Sequence, residues 1–453
     1  MRTIDFTKGK IMKSLILFAG PVLFAMFLQA LYSAADLLIV GKFATKADVS
    51  GVAIGSQLMT TLTNMIVSFA TGATIYLGQK IGEKKAHEGG IIIGNAILFF
   101  GFIGLLMSLS LPLLSGPLAH LLKAPAQSFT QTKHYIMICG GGAIMIVAYN
   151  VLGAIFRGIG DSTTPLITVA IAALINVFGD LLLVDYFHMG AAGAAIATVS
   201  SQTISVIISL VMIKGRTLPF TMSKQDIRFK RNVTKQIIIF GLPIALQDFL
   251  VSLSFLVLLA IVNTLGVTAS AGVGVAEKVC AFLMLVPSAF MQSMSSFVAQ
   301  NKGARKVDRA IKGVKIAIKG VKIAIGFSSL IGLVMFVFAF FHGDMLGSIF
   351  SSDQSVIAAC AQYLKAYGID CLLTCFLFCL VGFFNGMGHT TFVMIQGLMS
   401  AFLIRIPVAY IMSMMTGKLF FIGLAIPAST IVQIIICLLY LRKRKFTASA
   451  VNL

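Results

Sequence analysis

The sequence predicts an all-α integral membrane protein, with twelve transmembrane helices in two parallel-repeat six-helix bundles around a central cavity. Three observations carry this. The chain is 58% hydrophobic and 11% charged over 453 residues, with a mean hydropathy of +0.98, and a soluble chain of this length would not carry so little charge. Apolar runs longer than about 18 residues, enough to cross a bilayer as helix, recur from end to end. The chain is also written twice. FRGIGDSTT at Phe156–Thr164 returns as FNGMGHTTF at Phe384–Phe392, GQKIGEKK from Gly78 returns as AQNKGARK from Ala299, and AGP at Ala19–Pro21 returns as GLP at Gly241–Pro243.

Taken in order, the first half should hold spans at 14–40, 49–77, 91–115, 133–156, 164–184 and 191–213. The first is too long for a signal-peptide core and has no convincing small-residue cleavage site, so it reads as an uncleaved span. The second half should hold spans at 236–263, 269–299, 318–341, 356–384, 392–415 and 420–441. Six per half is an even number. Both halves then enter from the same side, and the repeat is parallel about an axis along the membrane normal. Pro21 and Pro243 hold matching places in spans one and seven, where a proline removes a backbone bond and kinks the helix. Paired kinks suit helices that bend, and equally suit static packing.

The expected organisation is an amino lobe at 1–213, a polar, basic cytoplasmic linker at 214–235, a carboxy lobe at 236–441 and a basic cytoplasmic tail at 442–453. The copies are spaced near 221 residues early and 228 later. The jump has a visible source, because IKGVKIA at Ile311–Ala317 is followed at once by IKGVKIA at Ile318–Ala324. The duplication puts Lys312, Lys315, Lys319 and Lys322 on one helical face before span nine. That face is either an anionic-lipid anchor or a tolerated lengthening of the helix by two turns.

The net charge of +20 does not imply nucleic acid, because of where it falls. Of the 35 Lys and Arg, 27 lie in loops and termini that alternate onto one side, and only six face the other. This is orientation by the positive-inside rule. It implies a multi-pass protein of the cytoplasmic (plasma) membrane with both termini cytoplasmic. The seven cysteines have no metal-finger spacing. Cys371, Cys375 and Cys379 recur every four residues on one helical face, which packing explains more simply than a soft-metal path. No soluble domain is present. His87, His120, His188, His342 and His389 lie in loops or span ends and His134 at a span start, so no nucleophile and base pair up and an enzyme is not expected.

Ionisable groups inside spans are expensive and usually functional. They are Asp36, Asp180, Asp248, Glu277, Lys278, Asp370 and Arg405. Asn176 lies one turn before Asp180 and points the same way. With Asp36 on span one and Thr198 on span six, four oxygen-bearing side chains from three helices can make a small-cation or proton site. The second half does not copy this set: Asp36 aligns with Leu258, and Asn176 and Asp180 fall near Ile406 and Tyr410. A structural network would recur in both lobes, so the asymmetry favours function. Asp248 and Asp370 come to similar depth, with Lys278 on span eight and Arg405 on span eleven available to neutralise them. This second charge cluster either contacts cargo or is a structural ion-pair network. Glu277 faces the cavity or pairs with Lys278.

Asp36 within YSAADLLIVGKF, FRGIGDSTTP, and NVFGD followed by GAAGAAIAT resemble the multidrug and toxic compound extrusion (MATE) transporters, in order and over nearly the whole chain. The resemblance implies two six-helix bundles forming a V around a central cavity, and export of amphipathic, cationic small molecules driven by inward H⁺ or Na⁺. It carries the amino-lobe cation site onto Asp36, Asn176, Asp180 and Thr198, with Tyr135 either in the same network or, since Tyr363 is its repeat mate, in a packing role, and looks closest to the DinF-like branch. The NorM-like branch has an acid on span seven where this chain has Val251. The implied partners are small-molecule cargo and the bilayer, with no cofactor beyond the coupling ion. A monomer is expected. A lipid-linked oligosaccharide flippase shares the wider superfamily's plan, but should line its cavity with several Arg or Lys; here only Lys278 and Arg405 are available.

Overall fold

The computed structural model describes residues 3–85, 87–214, 220, 223–319 and 325–443. Every regular element among the described residues is helical. In order they are α1 (Ile11–Phe43), α2 (Lys46–Gly82), α3 (His87–Leu121), α4 (Phe129–Gly141), α5 (Ala143–Gly158), α6 (Thr163–Asp180), α7 (Gly190–Lys214), α8 (Arg231–Asn263), α9 (Val267–Leu283), α10 (Leu285–Gly303), α11 (Val307–Lys319), α12 (Ile325–Phe341), α13 (Gly343–Ser348), α14 (Gln354–Gly386), α15 (Thr390–Ser400), α16 (Ile406–Thr416), α17 (Leu419–Gly423) and α18 (Ala425–Lys443). Wide π turns extend α6 over Leu181–Tyr186 and join α15 to α16 over Ala401–Arg405.

Among the described residues, ten stretches are long and apolar enough to cross a bilayer, and α4 with α5, bent by 57°, makes an eleventh. The 17-residue α12 follows the undescribed residues 320–324 and stands where the ninth expected span falls. The chain is a multi-pass membrane protein. Several helices overrun their expected spans because they continue past the apolar layer. Helix α2 reaches Gly82, and there Lys80 meets Glu83 at 2.9 Å and Glu88 at 3.1 Å. Of the expected face, Lys312, Lys315 and Lys319 belong to α11 and Lys322 lies outside the described residues; Lys312 is exposed.

The chain packs into two compact units. One comprises Met1–Ile4 and Phe24–Ala245, the other Asp5–Leu23 and Leu246–Leu453. Helix α1 changes unit just after Pro21, and α8 just after Pro243. Each proline removes one backbone bond where its helix passes from one unit to the other.

In the amino unit, one core gathers Ala70, Ala73 and Leu77 of α2, Ile92, Ala96 and Phe100 of α3, and Val147, Val151 and Ile155 of α5. Helices α2 and α8 approach backbone to backbone: a Cβ on Gly72 would lie 2.5 Å from the Gly241 nitrogen. A second core joins Val40, Val52, Met59, Tyr135, Cys139, Ala143, Ala191 and Ala194. The bend between α4 and α5 has a local cause. Gly142 faces Val199 of α7 with no room for a side chain, and Ile144 N donates to Ser108 Oγ at 2.9 Å. The sequence reading of 133–156 as one straight span missed this break, because it depends on a helix far along the chain.

In the carboxy unit α14 is central, packing against α9, α10, α12 and α18. Its core includes Leu258, Val273, Ala276, Tyr363, Tyr367, Cys371 and Ile422. The segment before α1 is tied to this unit. Phe6 is fully buried between Phe18 and Phe297, and its carbonyl accepts from Asn301 Nδ2 and Arg309 Nε, both at 3.1 Å.

Asn95 of α3 shows how loops are fixed. It is fully buried, its Nδ2 donates to Ile91 O and Arg228 O at 2.8 Å each, and its Oδ1 accepts from Lys230 N at 2.7 Å and Thr234 Oγ1 at 3.1 Å. All four hydrogen bonds of the amide are made. Asn95→Leu is expected to strand these partners and cost about 1–3 kcal/mol, read as a lower unfolding midpoint in detergent; an unchanged midpoint would contradict this role.

Candidate functional site

The amino unit buries two carboxylates against each other. Asp36 of α1 is 7% exposed and Asp180, the last residue of α6 before its wide turn, is fully buried. Their carboxyl groups lie within hydrogen-bonding reach of one another, and Asn176 lies beside Asp36. Thr198 Oγ1 of α7 donates to Ala194 O at 3.0 Å and approaches Asp36 Oδ2 at 3.4 Å. Tyr135 of α4 is buried within reach of both Thr198 and Asp36. The five residues expected from the sequence therefore meet in one place.

Five polar atoms of three of them lack a hydrogen-bond partner. Asp36 Oδ1, both oxygens of Asp180, and both Oδ1 and Nδ2 of Asn176 are buried and complete no hydrogen bond. Buried polar atoms are normally satisfied, and a charged pair of like sign in low dielectric is costly. The donors are carboxylate, amide carbonyl and hydroxyl oxygens, the hard ligands that suit a small cation. The arrangement can hold a positive charge.

The carboxy unit answers the second expectation only in part. Asp370 of α14 is 3% exposed and accepts from Thr374 Oγ1 at 2.8 Å; Arg405 is 5% exposed and within electrostatic reach of it. Glu277 of α9 reaches the same region, near Tyr363 and Cys280. Asp248 and Lys278 do not join the cluster: both side chains are exposed. Lys278 sits about 100° around α9 from Glu277, off the face that Ala276, Val279 and Cys280 bury. Asp248 lies on α8 in line with exposed Ser252 and Leu256. Lys278 is thus no buried counter-charge, and the groups that act on Asp370 are Thr430, Thr374 and Arg405 rather than Asp248.

Sequence reasoning missed the next layer of the amino site. Tyr32, one turn before Asp36, interacts with Gln202, one turn after Thr198. Tyr149 of α5 follows, buried, with no hydrogen bond to its hydroxyl and within reach of Tyr32 and Arg157. Arg157, read only as a loop charge, lies back over Gly153. The i±4 spacing from Asp36 and Thr198 was the available signal.

Membrane passages in two repeated halves, with a buried acid pair inside one of them, are the plan of a membrane transporter. The MatE family model matches residues 21–182 and again 243–411, the second match seven residues longer than the first, the length of the tandem IKGVKIA. The chain belongs to the MatE family. It is 28% identical over 455 residues to the probable multidrug resistance protein YpnP of Bacillus subtilis, covering 99% of this chain and 98% of that one. It is 24% identical over 408 residues to the probable multidrug resistance protein NorM of Thermotoga maritima (89% and 86% covered), and 26% over 348 residues to an FAD transporter of Shewanella oneidensis (74% and 75%). Among solved structures, a multidrug resistance MATE family transporter in an outward-facing conformation superposes with a TM-score of 0.90 at 19% identity, covering 100% of this chain and 99% of that one. The fold is that of the MATE transporters.

Tyr135 is seated by an absent side chain. A Cβ on Gly55 of α2 would stand 2.6 Å from the Tyr135 ring. Gly55→Val should push the ring off its place beside Thr198 and Asp36 and cost about 1–3 kcal/mol through overpacking. It should weaken transport although no ionisable group is changed. Drug accumulation in cells, normalised to folded protein, measures it; full transport in this variant would separate Tyr135 from the site.

Proposed function

We propose that this chain exports amphipathic, cationic small molecules across the cytoplasmic membrane in exchange for H⁺ or Na⁺, by alternating access between its lobes. The observation that carries the proposal is the set of five unsatisfied, buried polar atoms on Asp36, Asn176 and Asp180. Two carboxylates in such surroundings need a positive charge. Asp36 and Asp180 would hold it, with Asn176 Oδ1 and the Thr198 and Tyr135 hydroxyls completing the oxygen donors. Loss of the cation on one side of the membrane leaves the pair unbalanced, and this imbalance is what a coupled carrier can convert into a change of conformation.

Export is supported by the relatives named as multidrug resistance proteins in Bacillus subtilis and Thermotoga maritima. The relative named as an FAD transporter is a reason to test anionic as well as cationic cargo. The basic loops support cytoplasmic termini through the positive-inside rule, and a monomer suffices, since the proposed cation site is complete in one chain.

The test is drug accumulation in exporter-deficient cells and in proteoliposomes, with Na⁺ and proton gradients imposed separately. Asp36→Asn and Asp180→Asn are each expected to remain folded and to accumulate drug like a vector control. Asp36→Asn exporting at the full rate against a gradient would refute the coupling assignment.

A further inference from the structure

The carboxy unit buries charge in the part of its repeat that corresponds to the amino-unit site, but arranges it differently. Leu258 stands where the repeat places Asp36, and Tyr363 repeats Tyr135. Arg405, at the end of the wide turn Ala401–Arg405, falls beside the residue that repeats Asn176. Ser254 lies one turn before Leu258, as Tyr32 lies one turn before Asp36.

The arginine is built in rather than loosely placed. Nη1 of Arg405 donates to Ser254 Oγ at 2.9 Å, and the guanidinium carbon stands 4.2 Å from the centre of the Phe255 ring. Stacking on an aromatic face is the environment that suits a buried guanidinium. Asp370, held by Thr374, is within its electrostatic reach. Asp370 Oδ1, Arg405 Nε and Glu277 Oε1 are buried without hydrogen bonds, so the cluster is cohesive through charge more than through direct contact.

We propose that Arg405 is the built-in cation of the carboxy unit: its guanidinium takes the place that an exchangeable cation takes in the amino unit, and closes this half to H⁺ and Na⁺. The word exchangeable rests on the function proposed above; the charge compensation of Asp370 does not. An arginine keeps its proton and is tethered to its helix, so it neutralises a buried acid without being able to leave. Ion exchange is then confined to Asp36 and Asp180, which explains why the two repeats diverge at this point.

The test uses the purified full-length protein and a thiol-reactive dye as the unfolding reporter, since the seven cysteines are all buried and the chain has no Trp. Arg405→Ala should lower the unfolding midpoint by several degrees. Millimolar guanidinium chloride or NaCl, against choline chloride, should recover part of that loss and leave the wild type unmoved. Arg405→Ala with Asp370→Asn should recover most of the midpoint and no longer respond to either cation. If Arg405→Ala alone does not fold, the double variant still should. The proposal fails if Arg405→Ala matches the wild type, if the loss is unresponsive to both cations and to Asp370→Asn, or if the double variant does not fold. These readouts need no transport. If Asp36→Asn exports normally while guanidinium stabilises Arg405→Ala, the coupling site is wrong and the arginine's role stands.

Discussion

A carboxylate buried among apolar helices must keep a positive charge within reach, and the arrangement of this molecule follows from how each half meets that demand. Breaking a buried ion pair by removing one partner costs roughly 3–5 kcal/mol, enough to decide whether a helix bundle holds its shape. The carboxy unit meets the demand covalently, with Arg405 anchored on Ser254 and Phe255 near Asp370. The amino unit has two acids side by side, and among the described residues no Lys or Arg acts on either of them. On the proposed function it takes a cation from outside, and the two repeats then answer the same demand in opposite ways, one exchangeable and one fixed.

Holding those side chains in place falls to residues that are small or absent. Helices in lipid gain little from hydrophobic contact and associate through close packing. Gly55 makes room for Tyr135, Gly142 lets α7 press into the joint between α4 and α5, and Gly72 and Gly241 bring α2 and α8 into backbone contact. Asp48 works at the other end of the same unit. It closes the capping box of α2 with Thr45 and accepts from Ala191 N at 3.0 Å. That bond fixes the start of α7, the helix that carries Thr198.

Much of this was legible in the sequence, and the failures share a cause. The repeat, the tandem IKGVKIA and the convergence of Asp36, Asn176, Asp180 and Thr198 could be read because they depend on order and on helical spacing, whereas Tyr135 came from the family resemblance. Depth along a helix is a matter of counting, whereas the direction a side chain faces depends on what packs there. Asp248 and Lys278 fall within helices as expected but lie on exposed faces. Arg405 was correctly expected inside a span, yet its anchors, Ser254 and Phe255, lie on a helix about 150 residues earlier, and spacing alone could not find them. The burial of Phe6 was invisible for the same reason, since its partners sit on α10 and α11.

The central claim is that one half exchanges its cation and the other does not. Infrared difference spectra of the purified protein, recorded as Na⁺ is added or pH is stepped, read carboxyl groups directly. The account predicts a carboxyl band that changes on cation exchange, is absent from the Asp36→Asn, Asp180→Asn double variant and persists in Asp370→Asn. A band that survives in the double variant, or that vanishes with Asp370, would contradict it.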